Sequence, residues 1–374
     1  MSSLDDLGAI APEPPPGFTP GLHLDGDEGY VTTVPTEDNH ADVAAVLKAA
    51  QLNPDDFIVD WARAARITAH LDAAGNLVQR WLKFPVTRKP QRTFDVQQLV
   101  ANIHTPVKKP RKAKNDAALT LMLSDQHIGK AAEAGGGTDM IIERWKQSVS
   151  RALVGGTRRA INLVFGGDTI EGYISQGGNN INETDLVLSE QLQVAQQMVS
   201  WTIQQALPLA REVHVSVVPG NHAETTRVQN VPIGDNFDVM IVKNVEQAMK
   251  LAGLDDRISF HYPTMVDGSV TYEVCGTRFT VAHGHKFKGQ MKGAENWWSG
   301  HIANGRHPKD SHILLAGHFH NFQASNWTRD RWILFAPSLE NESTWFANST
   351  GSTSQPGALV FESRDGMPSN IRIV

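Results

Sequence analysis

Five apolar runs in this chain end alike, each in a short polar stretch carrying side chains able to hold a metal ion. "ALTLML" leads into "SDQHIG", which offers Asp125 and His127. "AINLVF" leads into "GGDTIEG", with Asp168 and Glu171. "EVHVSVV" leads into "PGNHAE", with Asn221, His222 and Glu224. "RFTVA" leads into "HGHK", with His283 and His285, and "HILLA" leads into "GHFHN", with His318 and His320. Short apolar runs closed by glycine or a polar cluster read as buried strands. Two segments with helical character, about 139–153 and 183–207, lie among them. Strands alternating with helices, then a strand-rich second half, predict an α/β domain around a central sheet layer.

Open α/β sheets place their sites outside the carboxyl ends of their strands. The five polar stretches are therefore expected to converge, with glycines at 166, 167, 220, 284 and 317 allowing the turns. Any one stretch alone is weak, since a single H-x-H is commonly a surface feature. The series carries the inference. In an extended segment residues i and i+2 share a face, so His318 and His320 are expected to project the same way if the strand continues. The donors combine Asp and Asn oxygens with imidazole and include no thiolate. That set suits Mn, Fe or Zn in a dinuclear site better than a structural zinc.

Composition sets outer limits. The formal net charge of −6 gives no global basic field that would announce nucleic acid. The single cysteine, Cys275, excludes an intramolecular disulfide and a Cys-rich zinc site, and fits a reducing compartment. The start shows no basic segment followed by an apolar one, and no apolar stretch is long enough to span a bilayer. A soluble, cytoplasmic protein without a membrane partner is the expectation. Residues 1–36, rich in Pro, Gly and acids, read as an irregular arm, and 37–107 as a small α+β module. Trp61, Arg63, Arg66, Arg80, Trp81 and Lys83 give that module basic and aromatic groups together. Residues 108–116, "KKPRKAKND", read as a basic linker, and 117–374 as the main domain.

In its order and spacing, the series D-x-H, G-D-x-x-E, G-N-H, H-G-H and G-H-x-H resembles the calcineurin-like metallophosphoesterase superfamily, over about residues 117–340. The resemblance implies a four-layer α/β/β/α sandwich with two divalent metals at the strand ends, Mn²⁺ first and Fe or Zn as alternatives. It implies Asp125, His127 and His320 on one metal, Asn221, His283 and His318 on the other, and Asp168 bridging. His283 is preferred over His285 because the ligand usually precedes the glycine, which leaves His285 near the metals or facing substrate. His222 is implied as the catalytic histidine. The family often places an acid directly after it, whereas here Ala223 intervenes before Glu224. Glu171 is assigned to orienting a loop or a ligand.

The reaction implied is phosphoester hydrolysis by a water activated between two metals. For the substrate, "HGHKFKGQMKGAENWWSG" places Lys286, Lys288 and Lys292 around Trp297 and Trp298, with Arg306 following. Cations interleaved with aromatics suit a nucleic-acid strand, most of all DNA. The layout is similar to the Mre11/SbcD-like DNA-repair exonuclease branch, and more loosely to metallophosphoesterases encoded by bacteriophages, which would work in host cytoplasm. With no capping region legible after the last motif, a stand-alone phosphodiesterase is expected. The competing expectation is a phosphomonoesterase or cyclic-nucleotide phosphodiesterase acting on small molecules.

Overall fold

The computed structural model describes residues 17–25, 28–33, 43–50, 52, 54, 57–71, 77–88, 113, 116–131, 137–174, 184–226, 232–340 and 354–374. The chain divides into two compact units, Met1–Thr93 and Phe94–Val374.

The first unit contains β1 (Gly21–Asp25), β2 (Glu28–Thr32), α1 (Val43–Ala49), β3 (Phe57–Val59), β4 (Ala65–Leu71) and β5 (Leu77–Arg88). Its antiparallel sheet runs β1-β2-β5-β3, and β4 also pairs with β5. This corrects the expectation of an irregular arm through residue 36. Leu22, Leu24 and Val31 pack with Leu47, Phe84 and Val86, an alternation that the surrounding Pro, Gly and acids obscured. Trp81 is buried. Lys83 stands 3.4 Å from the centre of the Tyr30 ring, and Trp61 is exposed, meeting Phe84 edge-on. The side chains of Arg66 and Arg80 lie outside the described residues, as does the basic segment 108–116 apart from Ala113 and Asp116.

The second unit is a four-layer α/β/β/α sandwich. A six-stranded sheet, β16-β15-β6-β7-β8-β9, is built from β6 (Ala118–Leu123), β7 (Arg158–Phe165), β8 (Ala210–Val217), β9 (Ile258–His261), β15 (Leu359–Arg364) and β16 (Met367–Ile373). The four strands β6 to β9 run parallel, so their carboxyl ends share one edge. A five-stranded sheet, β10-β11-β12-β14-β13, comprises β10 (Ser269–Val274), β11 (Thr277–Ala282), β12 (Ile313–Ala316), β13 (Gln323–Thr328) and β14 (Arg331–Phe335). Helices α2 (Gly137–Ala152), α3 (Leu188–Ala206) and α4 (Phe237–Leu251) cover the outer face of the first sheet, through Trp145, Val199 and Ile241 among others. Helix α5 (Met291–Ala303) covers the second through Ala294 and Trp298. The core between the sheets is apolar, with Met122, Val164 and Phe361 against Phe279, Val281 and Leu315. A buried strand exposes neither face, which is why β12 is a continuous apolar run and β6 is interrupted only by Thr120.

One polar seam crosses this core. The Tyr272 hydroxyl donates to Asn162 Oδ1 at 2.9 Å and lies 2.8 Å from Ser216 Oγ. His261 stacks on the Tyr272 ring at 4.2 Å, and its Nε2 lies 3.0 Å from His214 Nδ1. Burial, then the neighbouring His214, pushes the His261 imidazole from 6.5 down to about 4. Between those values the unfolded chain binds more protons than the folded one, so this pair's contribution is lost as pH falls through the window. Replacing His261→Phe keeps the stack and removes the titration. Urea unfolding at about pH 7 and about pH 4.5 should show the variant losing less stability than wild type, by on the order of 1 kcal/mol after allowing for partial exposure.

Candidate metal centre

Eight non-glycine residues among those described have φ in the left-handed region, and five of them are Asp125, His127, Asp168, His318 and His320, at φ between 51° and 68°. L-residues rarely adopt this conformation, at a cost of about 1–3 kcal/mol each unless the surroundings enforce it. Here the ladder enforces it. Past the last strand residues, Asp125 N donates to Gly167 O at 3.0 Å and His127 N to Asp168 O at 3.0 Å. Likewise Gly317 N donates to His283 O at 2.9 Å. With φ of 68° at His318 and 53° at His320 the segment after β12 is not extended, so the condition for a shared face is not met. The two imidazoles go to different clusters.

In the first cluster, ligand atoms of Asp125, His127 and His320 lie within 4.8 Å of one another. His127 Nε2 is 3.3 Å from His320 Nε2, which is 3.3 Å from Asp125 Oδ1. In the second, Asp168, His283 and His318 meet the same limit. His283 Nε2 lies 2.9 Å from Asp168 Oδ2 and 3.2 Å from Asn221 Oδ1. Asp168 also meets that limit with His127 and His222, so its carboxylate touches both sides of the site.

The outer nitrogens are already committed. His127 Nδ1 is 2.8 Å from Glu171 Oε2, His320 Nδ1 is 2.8 Å from Glu340 Oε1, and His283 Nδ1 is 2.8 Å from the Gly166 carbonyl. His127 and His283 use their ring N–H in these contacts, and His320 Nδ1 faces Glu340 as an ion pair, which leaves Nε2 of His127 and His320 turned toward each other and a carboxylate. A cation between them satisfies all three groups. Asp125, Asp168, Glu171 and Glu340 are all buried, and so much enclosed negative charge demands a positive counterpart. The donor set thus fits divalent metals. Without one, protons on the imidazoles take that place. Burial, the largest influence on His283 and His320, would lower both. Asp168, Asp125 and the Gly166 carbonyl together outweigh it at His283, raising it to about 9, and Asp125 with Glu340 raises His320 to about 10.

His222 lies beside the clusters. Its ring meets His127 edge-on at 4.5 Å, and its backbone N–H donates to Asp168 Oδ1 at 2.8 Å. Its Nδ1 lies 3.3 Å from Glu171 Oε2. Burial alone would lower the His222 pKa, but Asp168 and Glu171 raise it to about 9. Glu171 therefore backs two histidines. Glu224 forms a backbone bridge with Asn236. His285 is half-buried, with its ring 5.4 Å from that of His283 and 6.2 Å from that of His318.

The segment expected to stack nucleic acid is placed differently. Trp298 is in the core, with Nε1 donating to the Pro308 carbonyl at 2.8 Å and its ring on Trp327. This corrects its assignment as a substrate platform, because the helical spacing of α5 turns Trp298 inward. Trp297 is half-buried between Phe287 and His301. Lys292 pairs with Glu295 at 2.9 Å, while Lys286 and Lys288 are exposed.

Two acids carry structure that sequence reasoning missed. Asp238, fully buried at the start of α4, accepts N–H groups from Asp168, Thr169 and Gly220 at 2.9–3.0 Å. It ties the G-D and G-N-H loops together, and Gly220 comes so close to Asp168 that no side chain fits there. Glu340 holds His320 and also accepts from Lys130 Nζ at 2.5 Å. Asn236, the cap just before α4, is a helix-start signal in the sequence, and Glu340 carried none.

The chain matches no protein-family model and no curated protein. Among solved structures, wild-type Vps29 complexed with zinc from Entamoeba histolytica aligns at 12% identity and TM-score 0.32, covering 66% of this chain and 87% of its own. A predicted phosphoesterase from Streptococcus pneumoniae TIGR4 aligns at 13% identity and TM-score 0.30, covering 67% and 84%. Purple acid phosphatase PPD1 from yellow lupin seeds aligns at 10% identity and TM-score 0.32, covering 91% and 68%. Likeness at this level adds nothing to the site, which stands on its own geometry.

Because Asp168 is common to both clusters, Asp168→Asn should lower the divalent metal retained after dialysis relative to wild type. Elemental analysis of the variant against wild type checks it, with circular dichroism reporting the fold.

Proposed function

We propose that this protein is a metal-dependent phosphodiesterase whose substrate is a DNA strand, a nuclease of the DNA-repair-exonuclease type with a phage-like layout. The reading is carried by Asp168, one buried carboxylate within reach of two histidine clusters, with His222 alongside. Asp125, His127 and His320 would hold one divalent cation, Asn221, His283 and His318 a second, and Asp168 both. Bound there, such cations supply Lewis acidity toward the phosphoryl oxygens and lower the pKa of the attacking water.

The protein's own groups do the rest. Glu171 anchors His222 through Nδ1, which leaves Nε2 to meet substrate. In the metal-free protein Asp168 and Glu171 favour the protonated form of His222. It stabilises charge building on the phosphoryl group or passes that proton to the leaving oxygen. Buried Asp238 keeps the loops of Asp168 and Asn221 in register, so the geometry is set before substrate arrives. Support for DNA comes from the exposed Lys286, Lys288 and Arg306, and from Phe322, which is 40% exposed next to Asn321. The burial of Trp298 favours a second reading, a phosphomonoesterase or cyclic-nucleotide phosphodiesterase with a small-molecule substrate.

Hydrolysis of a diester reporter, a monoester reporter and end-labelled DNA, side by side with Mn²⁺, separates the two. The proposal predicts diester and DNA cleavage, reduced roughly 10²–10⁴-fold in His222→Ala with metal content unchanged. Monoester hydrolysis with intact DNA would establish the second reading. Lys288→Ala with Lys292→Ala should weaken DNA cleavage several-fold and leave the diester reporter unaffected. Equal effects on both would remove the strand-binding segment from the account.

A further inference from the structure

The two clusters differ in what stands behind their imidazoles. In the first, both histidines are backed by acids, His127 by Glu171 at 2.8 Å and His320 by Glu340 at 2.8 Å, and Asp125 supplies a carboxylate of its own. In the second, His283 is backed by the neutral Gly166 carbonyl and Asn221 offers a neutral amide oxygen. Asp168 is common to both. A carboxylate behind a ligating histidine fixes the ring and makes its free nitrogen a stronger donor, and loss of such a partner costs about 10–100-fold in metal affinity.

Glu340 is built for this role. It is buried, and its two oxygens divide their work, Oε1 to His320 Nδ1 and Oε2 to Lys130 Nζ at 2.5 Å. Its backbone N–H donates to Ser338 Oγ at 3.0 Å, and that hydroxyl donates to the Asp125 carbonyl at 2.6 Å. One short segment thus holds both the His320 ring and the Asp125 backbone. Lys130 offsets part of the Glu340 charge, so orientation of His320 is the larger part of the effect.

We propose that the two centres bind divalent cations unequally and in order, with Glu340 the positioning residue that makes the Asp125–His127–His320 centre the first and tighter of the two. The inference rests on the reading above that the clusters hold two metals. It makes the Asn221–His283–His318 centre the one whose occupancy follows the free metal concentration.

Full-length protein stripped by chelator and titrated with Mn²⁺, with bound metal followed by calorimetry and elemental analysis, tests it. Wild type should bind in two steps at least tenfold apart. His318→Ala should lose the weaker step and keep the tighter. Glu340→Gln should weaken the tighter step about 10–100-fold, and Glu340→Asp should recover part of that loss. Glu171→Gln, acting through His127, should weaken the same step and serves if Glu340→Gln fails to fold, as judged by the melting of the metal-free protein. Equal steps in wild type, or a His318→Ala variant that loses the tighter one, would overturn the inference alone. So would acid-to-amide variants that leave the tighter step unchanged. Absence of any Mn²⁺ binding would overturn the metal-dependent function as well.

Discussion

Asp168 is where the structure converges. Its carboxylate meets His283 on one side, comes within ligand distance of His127 and His222 on the other, and accepts the His222 backbone N–H. A buried carboxylate in that position is stable only among positive charge. The rest of the second unit holds it there. The parallel strands β6, β7 and β8 bring their polar ends to one edge, and Asp238 fixes the turn from the helix side. The left-handed φ at Asp168 is the strain that this frame imposes.

The sandwich supplies stiffness in a form that strands alone could not. The sheets close over an apolar core, and β15 and β16 extend the first sheet beyond β6. The site therefore draws on both sheets, with Asp125, Asp168 and Asn221 following strands of one and His283 and His318 following strands of the other. Residues that must hold a cation to within tenths of an ångström are better placed at the ends of rigid strands than within loops.

Much of this was legible in the sequence. The strand ends and their polar donors follow from apolar runs that stop at Asp, Asn or His, whereas the four-layer architecture and the division of donors between two clusters are what the resemblance implies. Four features were not legible, for physical reasons. The His318–His320 segment looks extended by pattern, but both residues take left-handed φ and the His318 N–H donates to the Asp125 carboxylate. Trp298 resembles a stacking platform in composition, yet its place on the buried face of α5 is decided by tertiary packing. Glu340 lies beyond any motif, and only the fold brings its carboxylate to His320. The hairpin of β1 and β2 was hidden for a related reason, since five-residue strands amid acids and prolines carry little signal of their own.

The most direct measurement is the anomalous scattering of crystals grown with Mn²⁺, recorded at the manganese edge. The account predicts two peaks, one among Asp125, His127 and His320 and one among Asn221, His283 and His318, with Asp168 in contact with both. A single peak shared by neither histidine cluster, or none, would contradict it.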